Sequence, residues 1–218
     1  SMDAKIRDRR ALETELSKAL ANEEFEVVYQ PLVSIRDREI VGFEALLRWR
    51  NAARGLVLPS VFIPVLEEIG LINEVGAWVL KRACADAAGW PGKAKVAVNL
   101  SPVQFKSNRL GLDVCAALAS SGLQAHRLEL EITETAMLQD TATTLAMLRE
   151  LKALGLSISL DDFGTGYSSL SYLQKFPFDK IKIDQGFVRE LPTKEESLAI
   201  VRAIIKLAAS LGMTTLAE

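Results

Sequence analysis

A single histidine, two cysteines and a near-balance of 26 basic against 28 acidic residues leave this 218-residue chain without several common kinds of chemistry. With only His126 available, zinc sites built on histidine clusters lack ligands, and a Ser-His-Asp triad has no histidine on a strand end. His126 falls in a turn-like connection at 122–127, where a surface role is expected. Cys84 and Cys115 lie in helical patterns at no metal-ligand spacing and read as reduced core residues of a cytoplasmic protein. The charge balance excludes a long nucleic acid held by backbone electrostatics, so a phosphate-bearing ligand has to be gripped locally. No apolar run approaches the roughly 20 residues of a membrane span, and no secretory signal is present.

What is present is a set of polar residues near the ends of apolar, strand-like runs: Glu44, Asn99, Glu131, Asp161 with Asp162, Lys182 and Glu218. Charge inside β-rich segments costs folding energy unless it is paired or bound to a metal. The runs 95–101 (KVAVNLS), 128–134 (LELEITE), 157–162 (SISLDD) and 180–184 (KIKID) alternate strictly and read as strands with one oily face. Further strands are expected at 26–35, 40–49 and 214–218, giving seven. Helix-period segments lie between them at 62–90 (broken near Leu71), 110–120, 141–154 and 195–211, with Gly155 and Gly212 as C-caps. Residues 56–63 (LVLPSVFI) read as a loop leading into a helix, and Trp49, Trp78 and Trp90 as buried scaffold.

Strand followed by helix, repeated, means parallel β/α units. In an open doubly wound sheet the central strands are apolar at nearly every position, and these are not. A TIM-like (β/α) barrel resolves the conflict. Val96, Val98, Leu128, Leu130, Ile132, Ile158, Leu160, Ile181 and Ile183 then pack under helices, while the other parity faces the barrel axis and is polar near the mouth. Active sites of such barrels gather at the C-terminal strand ends, where Asn99, Glu131, Asp161, Asp162 and Lys182 fall. A full barrel takes about 250 residues. The seventh strand coincides with the chain end, so the expected barrel is either left open or the sequence is a piece. Residues 1–22 read as a linker whose 5–22 portion is a charged amphipathic helix, followed by one domain at 23–218 that is incomplete at its C-terminal side.

Carboxylates with an amide oxygen suit Mg²⁺ or Mn²⁺, and shared carboxylates can hold two such ions about 3.5–4 Å apart. Some of these residues also have simpler readings. Asp161-Asp162 before a glycine-rich turn suits turn and cap chemistry, Glu134 suits a helix cap, and Arg48 suits an ion pair with a neighbouring acid. Glu44, Glu131 and Lys182 are harder to dismiss, because inward charges on three strands need one another or a metal.

The segments 43–49 (FEALLRW), 99–101 (NLS), 131–134 (EITE), 161–170 (DDFGTGYSSL), 182–185 (KIDQ) and the closing Ala217-Glu218 together resemble the EAL-domain family of cyclic-di-GMP phosphodiesterases, in family order and from about Phe25 onward. The resemblance implies a barrel enzyme hydrolysing one phosphodiester of cyclic di-GMP to linear pGpG with two Mg²⁺ or Mn²⁺ ions. It implies Glu44, Asn99, Glu131 and Asp161 as ligands of the first ion, and Asp161 shared with a second that Asp162 helps to hold. Glu218 would stand beside the ions as base or ligand, and Lys182 would contact the attacking water. Arg48 would grip a substrate phosphate, with Leu46, Gln30 and Asp184 as further substrate contacts. Glu134 would steady the loop after the aspartate pair. The resemblance also leaves room for a homodimer and for an attached sensor or diguanylate cyclase domain, at times tethered to the inner membrane. Two other readings stand beside it: a catalytically silent cyclic-di-GMP receptor, and a barrel enzyme that holds Mg²⁺ against an enolate.

Overall fold

The computed structural model describes residues 2–107, 109–134, 136, 141–164 and 170–217. They fall into two compact units, Ser1–Val98 with Ser107–Leu123, and Asn99–Lys106 with Gln124–Glu218.

The first unit is built around an antiparallel hairpin of β1 (Phe25–Val33) and β2 (Ile40–Asn51), in which Phe25 opposes Trp49 and Gln30 opposes Glu44. β2 is also parallel to β4 (Lys95–Leu100), with Glu44 opposite Ala97. A short strand β3 (Gly55–Val57) pairs with the end of β2, where the sequence suggested only loop. Its cause is the tight turn before it. Asn51 Oδ1 accepts the backbone N–H groups of Ala53 and Arg54 at 2.9 and 3.0 Å, and Gly55 takes a left-handed φ of 71°.

Helix α2 (Pro59–Glu68) starts on a proline, whose missing N–H is no loss in a first turn, and α3 (Ile72–Ala88) follows after the expected break. Helix α4 (Leu110–Ser121) packs against α3. The core centres on Phe25, Trp49 and Phe62, with ring centroids 5.9 to 6.3 Å apart. The buried Trp49 indole donates to Glu24 Oε2 at 2.8 Å. Trp78 and Trp90 are only half-buried, contrary to expectation. Trp90 lies edge-on to Tyr29 beside the Tyr29 hydroxyl's bond to Asp86.

The charged N-terminal segment is helix α1 (Met2–Ala19), which lies against α2 and buries Leu12, Leu16 and Ala19. Arg54 fastens it through Asp8 at 2.8 Å and Glu15 at 2.7 Å, and Arg9 reaches Glu68.

In the second unit β5 (Leu128–Thr133), β6 (Ser157–Phe163), β7 (Lys180–Ile183) and β8 (Thr214–Ala217) run parallel, in that order. With β3 set aside, β8 is the seventh principal strand, as counted from the sequence. Helices α5 (Thr141–Ala153) and α8 (Glu195–Ser210) lie where their periodicity put them, and Gly155 and Gly212 adopt φ of 91° and 73° just beyond their ends. Two short helices, α6 (Leu170–Lys175) and α7 (Gln185–Glu190), were not expected. The second is begun by Asp184, whose Oδ1 accepts the Gly186 N–H at 2.8 Å.

Leu128, Leu130, Ile132, Ile158, Leu160, Ile181 and Ile183 are all buried, as the alternation required. The opposite face is polar, as the single oily face required, and it is buried as well: Glu129, Glu131, Ser159, Asp161 and Lys182 are inside. His126 is exposed on a single 3-10 turn, Ala125–Arg127. Cys84 is a core residue, but Cys115 is exposed on α4 and is not. Among the described residues no helix is long and apolar enough to cross a membrane.

Candidate active site

The second unit holds a buried knot of charge. Lys182, on β7 and 0% exposed, donates from Nζ to Glu131 Oε2 at 2.8 Å and lies 3.2 Å from Asp161 Oδ1. Glu131 comes from β5 and Asp161 from β6, so three adjacent parallel strands each contribute one charged group. Strand alternation aims them: Glu131, Asp161 and Lys182 have the parity opposite to the aliphatic residues under the helices.

The aspartate pair occupies a bulge. Leu160 pairs with Ile181 and Phe163 with Ile183, so Asp161 and Asp162 together oppose Lys182 alone. Asp162 takes the left-handed conformation that this needs, with φ of 55°, and its N–H donates to Asp161 Oδ1 at 2.9 Å. Aspartate tolerates that conformation better than most side chains. Gly164 continues the chain with φ of 100°, and a Cβ built on it would stand 3.0 Å from the Phe187 ring.

A second ion pair, absent from the sequence reading, lies one pleat lower. Lys180 Nζ donates to Glu129 Oε1 at 2.6 Å, and Glu129 is 2% exposed. The signal was available, since Glu129 and Lys180 each precede a predicted site residue by two and share its face.

The remaining expected residues are placed as follows. Glu134 is buried just after β5, and Asn99 is exposed on β4. Asp184 is half-buried and caps α7. Glu218 and residues 165–169 of the loop after the aspartates lie outside the described residues. In the first unit Glu44 is buried on β2, Gln30 is exposed opposite it, and Leu46 is half-buried opposite Val28. Arg48 is half-buried, and its Nη1 donates to the Leu47 carbonyl at 2.9 Å rather than to a neighbouring acid.

Chemically, the second-unit cluster offers hard oxygen donors and no nitrogen or sulfur ligand, the donor set of Mg²⁺ or Mn²⁺. Glu131 Oε2 and Asp161 Oδ1 meet around one positive group, which here is the Lys182 ammonium. Among the described residues no three His, Cys, Asp or Glu side chains gather closely enough to hold an ion by themselves.

Comparison with known proteins follows the same lines. The family model described as EAL domain matches residues 13–218. An uncharacterized signaling protein of Caulobacter vibrioides is 52% identical over 217 residues, which is 100% of this chain and 27% of that protein. The bifunctional diguanylate cyclase/cyclic di-GMP phosphodiesterase MucR of Pseudomonas aeruginosa is 40% identical over 222 residues, or 100% of this chain and 32% of that one. The solved c-di-GMP complex of the PaMucR phosphodiesterase matches with a TM-score of 0.90 at 40% identity, covering 95% of this chain and 85% of that one. The α/β fold is therefore the TIM-like barrel expected from the alternating strands. The chain spans about a quarter to a third of the length of the curated relatives it matches, at 26%, 27% and 32% of the first three.

Proposed function

The chain belongs to the EAL domain family, and from that premise we propose that it hydrolyses one phosphodiester bond of cyclic di-GMP to linear pGpG, using two Mg²⁺ or Mn²⁺ ions. The observation that carries the reading is the meeting of Glu131, Asp161 and Lys182, buried on three adjacent strands. A folded interior tolerates such a cluster where it has work to do, because each buried charge is costly. In the reaction a water oxygen bonds to phosphorus, the bond from phosphorus to the 3′ oxygen breaks, and that oxygen leaves with a proton.

The residues proposed to ligate cations are Glu44, Asn99, Glu131, Asp161 and Asp162, with Glu218 as a further ligand or base. Bound there, the cations would make hydroxide available near neutral pH and offset charge on the phosphate. Lys182, flanked by carboxylates, stays protonated and holds the attacking water by charge. Arg48 supplies a forked guanidinium for a phosphate, while Gln30, Leu46 and Asp184 line the substrate. Glu134 steadies the segment that follows the aspartate bulge. The dinucleotide is the ligand of the PaMucR complex, and a cytoplasmic domain coupled to a sensor or diguanylate cyclase domain, with dimerisation, is the setting proposed for the whole protein.

The test is direct. Full-length protein incubated with Mg²⁺ or Mn²⁺ and cyclic di-GMP is expected to yield pGpG by chromatography, and Glu44→Ala or Asp161→Asn to abolish the product. An intact dinucleotide in the presence of metal would refute the hydrolase reading. Tight binding in chelator with no turnover in metal would instead identify a silent receptor.

A further inference from the structure

Beneath the Glu131, Lys182 and Asp161 cluster lies the Glu129–Lys180 pair, which the proposed reaction leaves without a role. Its side chains are 2% and 19% exposed. Glu129 and Glu131 share one face of β5, and Lys180 and Lys182 share one face of β7. Between the two levels β6 sets Ser159, aligned with Glu131 on one side and Lys180 on the other. The Ser159 Oγ is buried and has no hydrogen-bond partner among the described residues. One pleat repeat is about 6.6 Å along a strand, within the sweep of a lysine's flexible four-carbon stem. A serine is too short to bar that sweep. Lys182 therefore has a rival acid below it, and a buried carboxylate left without its own counter-ion draws any ammonium in reach.

We infer that Lys180 is a positioning residue for Lys182. By neutralising Glu129 it holds the Lys182 ammonium at the upper level, against Glu131 and Asp161. The consequence for catalysis rests on the proposed metal-dependent reading. Without the Lys180 charge, Lys182 swings down to Glu129. Glu131 and Asp161 then lose their resident cation and become stronger metal ligands, while the attacking water loses its ammonium. Metal affinity and turnover thus move in opposite directions. A pair that served packing alone would lower both together, through loss of structure. Removing Glu129 as well removes the rival and returns Lys182 to its place.

The experiment uses full-length protein carrying Lys180→Met, and the double variant Glu129→Leu with Lys180→Met. Mn²⁺ affinity is read without substrate from the paramagnetic resonance of the free ion, and kcat from pGpG formation, with folding verified by circular dichroism. Lys180→Met is expected to raise Mn²⁺ affinity and lower kcat, each about tenfold, the scale on which residues supporting metal ligands act. The double variant is expected to move both back toward wild type. Affinity and kcat falling together, or neither changing, would overturn the inference. If Lys180→Met does not fold, Lys180→Gln carries the same test. Wild-type protein that binds Mn²⁺ without hydrolysis would overturn the proposed activity, and the affinity change alone would then decide the role of Lys180. Wild-type protein that takes up no Mn²⁺ would overturn both.

Discussion

The charges on β5, β6 and β7 and those that fasten α1 to the first unit are the same chemical groups in opposite surroundings. Arg54 meets Asp8 and Glu15 at 2.8 and 2.7 Å with the partners 67% and 29% exposed, whereas Lys182 meets Glu131 at 2.8 Å with both side chains essentially sealed. Distance does not separate the two cases; solvent does. At the surface, water competes for each charge and an ion pair contributes about 0–1 kcal/mol. In the interior the pair is a weak source of net stability, yet removing one member costs about 3–5 kcal/mol because the survivor is stranded. The surface pairs are thus replaceable fastenings, and the buried ones are commitments that the second unit has to honour whether or not they aid folding.

The sharpest way to break that contrast is Lys182→Met, which strands Glu131 and Asp161 and is expected to cost about 3–5 kcal/mol in urea denaturation while removing activity. A loss below about 1 kcal/mol would place the buried cluster in the same class as the surface pairs. Next comes backbone rather than charge. Gly164→Ala forces a Cβ into a left-handed φ of 100° and to 3.0 Å from the Phe187 ring, for an expected loss of about 1–3 kcal/mol. Full stability in that variant would mean that the turn after the aspartates is free to relax.

The cysteines repeat the contrast in neutral form. Burial pushes the Cys84 thiol from an ordinary value of 9.0 up to about 11, so its contribution to stability is complete below pH 9 and is lost as the pH rises from about 9 to about 11. The unfolded chain ionises first and is favoured over that window. A thiol reagent at neutral pH should label the exposed Cys115 in native protein and Cys84 only after unfolding. The smallest effect is expected at the surface. Arg54→Ala should cost less than about 1 kcal/mol, by an amount that shrinks as salt is added.

The strands and their helices were legible because alternation and helical period are written over many residues, and the buried aliphatic parity of β5, β6 and β7 follows from it directly. Glu131, Asp161 and Lys182 stood out for the same reason, as charges in otherwise apolar runs. What was missed is local or cooperative. β3 is three residues long and exists because Asn51 closes a turn, while α6 and α7 are six residues each, too short for a periodic signal. Cys115 shows that a helical pattern places a residue on a helix without saying which face it occupies. Strand alternation puts Glu129 and Lys180 on the faces of Glu131 and Lys182, but that the two pair with each other is visible only once their strands are set side by side. Their pairing spans 51 positions of chain, and no local pattern reports it.

The extra residue in β6 also decides who sits under the helices. Along an unbroken pleat the position after Leu160 that turns outward is 162, which would press an aspartate into the aliphatic layer. Because the strand counts two where its neighbour counts one, Phe163 arrives there instead, 5% exposed and level with Ile183. Deleting either aspartate would therefore do more than remove a proposed ligand. With one residue fewer, β6 would count one where its neighbour counts one, so the bulge would close; the aromatic ring would keep its level with Ile183, and the left-handed turn that brings a second acid to the strand end would be lost. Arithmetic in the backbone, as much as the identity of the side chains, keeps both acids at one end of the strand.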